Sequence, residues 1–193
     1  MELREISPAE NMSSDEFLQF AHPEQIKIVN IIRQQKLNGE RTSPSELLID
    51  DSKILNEEFR KALIDKVASL VDENLFGRSE MCQQFAMLLS LSLNHLGIYS
   101  KVVLGKATYS NGFSWIHCWV CTKEEIIDAN ADSMLENPAI PSDLAPKPFW
   151  GSKANLPKDR KFKPKPNAKV PKDTDVNNIW WPELKIWISQ YNK

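Results

Sequence analysis

Proline most restricts how this chain can fold, because eight of its 12 prolines lie between residues 138 and 172. A proline fixes φ and removes a backbone donor, so this stretch is unfavourable for a regular helix or a central strand. It also contains nine Lys and Arg residues against two Asp residues. We therefore expect a domain at residues 1–137 followed by a basic, extended arm at residues 138–172.

The charge of this arm is +7, and because the whole chain carries −2, the remaining residues carry −9. An arm that is solvated or docked on its own acidic body is a simpler interpretation than a nucleic-acid contact. The chain has 193 residues, of which 41% are hydrophobic and 26% charged. This composition is typical of a soluble globular domain and excludes global disorder or a disulfide-dense scaffold.

The N-terminal residues are charged where a signal peptide would be apolar, and no apolar run reaches the ~18 residues of a membrane span. We therefore expect a cytoplasmic protein with three reduced cysteines. Cys118 and Cys121 match a CxxC pattern, but on a strand they point to opposite faces, and we interpret them as packing residues. We expect no cofactor, no metal, no nucleic-acid partner and no membrane partner, and leave the oligomeric state open.

Apolar spacing of three and four residues predicts three helices. The first begins after Pro23 and stops at Gly39, the second ends before Gly77, and the strongly apolar third spans residues 79–95. Three extended runs follow, and residues 173–193 contain three of the six tryptophans, so this last segment should dock back on the domain. The predicted class is α+β, with N-terminal helices and a central Cys-bearing helix packed on a small antiparallel sheet.

Cys82 lies at the start of the third helix. With Ser79 as N-cap, Cys82 would be the third helical residue, where free amides and the helix dipole stabilise a thiolate. The thiolate is the nucleophilic form of cysteine. The alternative for a single cysteine is a small buried packing residue.

His117 and Asp128 fall on two successive predicted strands. A hairpin centred on residues 122–123 would place them directly opposite each other, with Cβ atoms ~4.5–5.5 Å apart. Asp128 could then orient His117, which would take the proton of Cys82 and return it to a leaving group. The alternatives are a core histidine bonded to a carbonyl and a carboxylate that caps a strand end.

The candidate residues lie in short motifs, namely MCQQFA at 81–86, LGI at 96–98, IHCWV at 116–120 and IIDA at 126–129. Together these motifs resemble the core of the transglutaminase-like superfamily of papain-like cysteine enzymes, over about residues 77–132. The resemblance implies a papain-like fold in which Cys82 is the nucleophile, His117 the general base and acid, and Asp128 the orienting residue. Glu80, Gln83 and Cys118 stand where glycine, tryptophan and alanine are usual in that superfamily.

An oxyanion hole needs a second donor besides the backbone amide of Cys82. The candidates are the side-chain amides of Asn74, Gln83 and Gln84, although each is equally consistent with a solvated helix residue. Trp119 would line the cleft and shield the His–Asp hydrogen bond, or would be a core tryptophan.

The function predicted is thiol-dependent acyl chemistry on an amide or ester bond, through a thioester intermediate. Peptidase, isopeptidase, deamidase and acyltransferase activity all fit, and a protein or peptide is the expected substrate. Two alternatives stay open. One is a catalytically silent fold that binds a peptide or protein, and the other is polyanion binding through the basic arm.

Overall fold

The computed structural model describes residues 23–40, 47–73, 77–79, 81–110, 112, 114–136 and 146–191. This part of the chain contains α-helices α1 (Pro23–Leu37), α2 (Glu57–Val71), α3 (Cys82–His95) and α4 (Trp181–Tyr191). Its strands are β1 (Leu48–Asp50), β2 (Lys101–Tyr109), β3 (Ser114–Cys121), β4 (Glu125–Asp128), β5 (Phe149–Ser152) and β6 (Arg160–Pro164). Short 3₁₀ helices span Ala131–Glu136 and Lys153–Asn155, and a π-helical turn at Val176–Trp180 leads into α4.

The six strands form one sheet in the order β1-β5-β4-β3-β2-β6. All neighbouring strands are antiparallel except β1 and β5, which are parallel. The chain therefore belongs to the α+β class, as predicted, although the sheet is mixed rather than purely antiparallel. Helices α2, α3 and α4 share a hydrophobic core with one face of this sheet.

The start of α3 differs from the prediction. The helix begins at Cys82, and Met81 is its N-cap, so Cys82 is the first helical residue rather than the third. Ser79 cannot serve as the cap because residues 77–79 form a turn, in which the N–H of Met81 donates to Arg78 O at 3.1 Å. The backbone N–H of Ser79 is itself bonded to Glu136 Oε2 at 3.0 Å. This turn delays the helix until Cys82.

The prediction of a separate basic arm is wrong for the part of it that the structure describes. Strand β5 lies inside the sheet between β1 and β4, and β6 lies at its edge beside β2. The prolines do not prevent this, because they stand outside β5 and at the very end of β6, at Pro164. Residues 137–145 lie outside the described residues.

The C-terminal segment packs on the helical layer. Val176, Trp180, Leu184 and Ile188 are buried in the core that α2 and α3 also form. The ring of Phe59 in α2 lies 6.0 Å from that of Trp187 and 5.0 Å from that of Tyr191, centroid to centroid. Removing this segment would therefore expose apolar surface on the helices. No helix in the described ranges has the length and apolar character that crossing a membrane requires.

Candidate active site

His117 and Asp128 form a buried pair. The Nε2 atom of His117 lies 2.7 Å from Oδ1 of Asp128, and the two residues are 2% and 1% exposed. A hydrogen bond of this length between a carboxylate and an imidazole is strong, particularly away from water. The structure therefore brings these two predicted residues together.

The register that achieves this pairing differs from the prediction. Strand β3 pairs with β4 through Val120 with Ile127 and Cys121 with Ile126, which is two residues away from placing His117 directly opposite Asp128. The turn lies one residue later than expected because the N–H of Thr122 donates to Glu125 O at 3.0 Å. Since side chains alternate with a period of two, the shift keeps both residues on one face as a diagonal pair.

Cys82 supplies the thiol of the site. Its pKa lies well below the usual value because of the polar interaction with the Cys118 side chain, to which the polar interaction and charge of His117 add. Burial opposes this lowering, but the combined effect of the two neighbours is larger. As the first residue of α3, Cys82 also precedes the helical ladder, whose first bond runs from the N–H of Phe85 to Met81 O at 2.9 Å. The thiolate form is therefore favoured.

The two ring nitrogens of His117 have different surroundings. Nε2 is bonded to Asp128, whereas Nδ1 is buried without a hydrogen-bond partner of standard geometry among the described residues. Nδ1 is thus the nitrogen available to the thiol. Burial lowers the pKa of His117, but the charge and hydrogen bond of Asp128, with a further contribution from Cys82, outweigh burial and raise it to about 10. These opposite changes in pKa favour an imidazolium at His117 and a thiolate at Cys82.

Two further residues contact Asp128, and the sequence analysis missed both. The hydroxyl of Tyr109 donates to Oδ2 of Asp128 at 2.8 Å, and Nη1 of Arg160 donates to the same oxygen at 2.9 Å. Burial raises the pKa of Asp128, but His117, Arg160 and Tyr109 together lower it below its usual range. Arg160 lies in the stretch that the sequence predicts to be a solvated or self-docked arm. The alternation of Arg160 and Phe162 with lysines is, however, a strand pattern that could have indicated an inward-facing arginine.

Cys118 was also missed as a site residue. Alternation places Cys118 on the sheet face opposite to that of His117, as predicted. This is the face on which α3 packs, and α3 begins with Cys82. Burial and the hydrogen bond with Cys82 raise the pKa of Cys118, with the hydrogen bond the larger cause. Cys118 therefore lies beside Cys82, and the interaction between the two thiols favours the thiolate at Cys82 rather than at Cys118.

The crevice at Cys82 is so narrow that it has essentially no room for a water molecule. Cys118, Ala129 and Asn130 are among the residues that line it. Asn130 is fixed at this position because its Nδ2 donates to Arg78 O at 2.9 Å and its Oδ1 accepts from Arg78 Nη1 at 3.2 Å. The fully buried Arg78 also binds both carboxylate oxygens of Asp132 at 3.1 Å.

Two of the three predicted oxyanion donors, Gln83 and Gln84, are bonded elsewhere. Nε2 of Gln84 donates to Asp173 Oδ2 at 2.9 Å, and Nε2 of Gln83 lies 3.4 Å from Pro171 O. Both side-chain amides therefore hold the chain that precedes α4, which corrects the expectation that they serve the oxyanion. Asn74 lies outside the described residues. The backbone amide of Cys82 stays available before the helical ladder.

Trp119 is buried and borders the crevice, but its ring centroid lies 4.6 Å from that of Phe162 in β6. Its ring therefore packs with Phe162 and the neighbouring Phe149 and Ile126. Among the residues that the structure describes, no group of three or more His, Cys, Asp or Glu side chains is placed to hold a metal ion. The three cysteines are free thiols.

We compared this chain with known protein families, curated proteins and solved structures. No family model matches this sequence, no curated protein is significantly similar to it, and no solved structure matches the fold.

Proposed function

We propose that this chain performs thiol-dependent acyl chemistry on an amide or ester bond, with Cys82 as nucleophile. The observation that carries the proposal is the 2.7 Å bond between Nε2 of His117 and Asp128, which leaves Nδ1 of His117 for the thiol. The order of the elements supports it, because a helix opened by a cysteine precedes two strands that supply the histidine and the carboxylate. We infer on these grounds that the fold is papain-like and of the transglutaminase-like type.

The reaction would proceed in two halves. The Cys82 thiolate attacks the carbonyl carbon, and the carbonyl π electrons move to the oxygen, which the amide of Cys82 can stabilise. As the tetrahedral adduct collapses, the bond to the leaving amine or alcohol breaks and Nδ1 of His117 gives that group its proton. Water or an amine then attacks the thioester, His117 takes the proton of this nucleophile, and Cys82 leaves as thiolate.

The acceptor decides which named activity results. Water would give a peptidase, an isopeptidase or a deamidase, and an amine would give an acyltransferase. We propose a protein or peptide substrate, following the resemblance of the motifs, and a reducing compartment such as the cytoplasm, where a free Cys82 thiol persists.

A catalytically silent binding module is the second candidate, and the narrowness of the site favours it. His117 and Asp128 are almost completely buried, and the crevice at Cys82 has essentially no room for a water molecule. A peptide bond needs a wider opening to reach the thiol than the described residues provide. The enzyme proposal therefore requires that the chain around the crevice moves when substrate binds.

Acylation by p-nitrophenyl acetate tests the enzyme proposal without knowledge of the substrate. We expect release of p-nitrophenol together with an acetyl group on Cys82, located by mass spectrometry of the peptide. Cys82→Ala should abolish this adduct, and His117→Ala should slow its formation by about 10²-fold or more, the usual contribution of a general base.

Cys121 provides an internal control, because it is partly exposed and burial raises the pKa of its thiol. Acetylation of Cys82 that is no faster than that of Cys121, or than that of a small free thiol at the same pH, would refute the enzyme proposal. The binding module would then be the better interpretation.

A further inference from the structure

The second oxygen of Asp128 has partners of its own. While Oδ1 faces Nε2 of His117, Oδ2 accepts from Tyr109 Oη at 2.8 Å and from Arg160 Nη1 at 2.9 Å. Tyr109 and Arg160 are direct partners in the pairing of β2 with β6. Asp128 is therefore surrounded by three polar side chains from three different strands, β2, β3 and β6.

Arg160 is itself held rigidly. Its Nη2 donates to Lys147 O at 2.7 Å, and its Nε and Nη2 donate to the carboxylate of Asp159 at 2.9 and 3.1 Å. The guanidinium carbon lies 5.5 Å from the ring centroid of Tyr109 and 5.8 Å from that of Phe149. A guanidinium fixed by this many contacts fixes the carboxylate that it binds.

The charge of Arg160 matters most when His117 gives up its proton. At that moment a buried carboxylate without another cation would compete for the proton or would be left as an unpaired charge. Arg160 stays charged throughout the reaction, because an arginine does not lose its proton in proteins. Asp128 can thus remain ionised and in place through both halves of the cycle.

We propose that Arg160 and Tyr109 are positioning residues that occupy Oδ2 of Asp128 and so reserve Oδ1 for His117. The proposal rests on the function proposed above, since it gives Asp128 the task of orienting the histidine. The groups that face Asp128 are His117 from β3, Tyr109 from β2 and Arg160 from β6, with Asp159 behind the guanidinium.

The test follows Asp128 and His117 by NMR, through the carboxyl ¹³C and imidazole ¹⁵N chemical shifts, over about pH 2 to pH 11, so that both midpoints are covered. In Arg160→Met the protonation midpoint of Asp128 should move upward by about 1–3 pH units, because an adjacent arginine lowers a carboxyl pKa by that amount. Arg160→Lys keeps the positive charge, so the Asp128 midpoint should stay close to that of the wild type. Tyr109→Phe should move the midpoint upward by less than Arg160→Met does. Arg60→Met is the matched control, since buried Arg60 bonds instead to Ser52 and to backbone oxygens of residues 54 and 55.

Unchanged Asp128 and His117 titrations in folded Arg160→Met would overturn the proposal, because a merely structural arginine lowers stability without moving them. If Arg160→Met does not fold, the comparison of Tyr109→Phe with the wild type decides in the same way. The pH dependence of Cys82 alkylation by iodoacetamide should change most in Arg160→Met and less in Tyr109→Phe and Arg160→Lys. The NMR titration needs no substrate, so its failure is distinguishable from a failure of the wild type to form an acyl-Cys82.

Discussion

Asp128→Asn should lower the pKa of His117 and so favour the neutral forms of His117 and Cys82. The substitution keeps the shape of the side chain but removes the charge that lies 2.7 Å from Nε2 of His117. An opposite charge at this range changes a pKa by about 1–3 units, so the pKa of His117 should fall by that amount from its value of about 10. The equilibrium between the thiolate–imidazolium pair and the neutral pair depends on the difference between the two pKa values. It should therefore shift toward the neutral pair by about 10- to 1,000-fold.

The assay combines a ¹⁵N titration of the His117 imidazole with the ultraviolet absorbance of the Cys82 thiolate. Folding must be measured alongside, because the variant removes one of the two carboxylates that bind Arg160 and leaves only Asp159. The cost should therefore lie below the about 3–5 kcal/mol of a buried ion that loses its only partner. Asp128→Asn combined with Arg160→Met removes both charges and should recover part of that stability. This double variant separates loss of the fold from loss of the charge.

A His117 titration that stays at its wild-type midpoint in folded Asp128→Asn would refute this reasoning. It would mean that the imidazole does not depend on the carboxylate for its charge. The short Nε2–Oδ1 contact would then be only a packing feature of the sheet.

Three other measurements address the thiol and the fold. Cys118→Ala should raise the pKa of Cys82, because the bond with Cys118 is the largest cause of its lowering; an unchanged pH profile of iodoacetamide alkylation would contradict this. The wild type should be nearly flat in stability between about pH 6.5 and 9, because folded His117 keeps a proton that the unfolded chain loses, while folded Cys82 has lost one that the unfolded chain keeps. In Cys82→Ser only the His117 effect remains, so urea denaturation should show stability falling as pH rises through this window, by up to about 1.4 kcal/mol per pH unit; an equally flat profile would count against the ion pair. Leu184→Ala should cost about 2–5 kcal/mol in the same assay, since Leu184 is fully buried in the main core; a loss below about 1 kcal/mol would show that α4 contributes little.

The helices could be predicted because their apolar spacing repeats over many residues. The expected stop of the first helix at Gly39 agrees with α1, which ends at Leu37 before a glycine with φ of 81°. The strands after the third helix were also recognisable from alternation. Strand β5 was not, because its four residues form a short buried run between prolines, a pattern too brief to outweigh the local composition.

For the site, the sequence predicted that His117 and Asp128 meet, but not the detailed geometry of the pair. His117 and Asp128 were recognisable as polar residues on apolar strands, whereas their register depended on where Thr122 closes the turn, a choice between neighbouring hydrogen bonds. The partnership of Cys82 with Cys118 depended on which sheet face α3 covers. Tertiary packing decides that, and the alternation of a single strand carries no information about it.

The buried charges explain why the site needs most of the chain. A thiolate, an imidazolium and a carboxylate can be buried together only if each is paired, and the last of the series needs the cation of Arg160 from β6. Strand β5 lies between β1 and β4, so it also holds the strand that carries Asp128 within the sheet. Residues 1–137 therefore do not contain all the residues of the proposed site. The basic, proline-rich stretch resembles a solvated arm in composition. It nevertheless supplies Arg160, whose positive charge pairs with the buried carboxylate of Asp128.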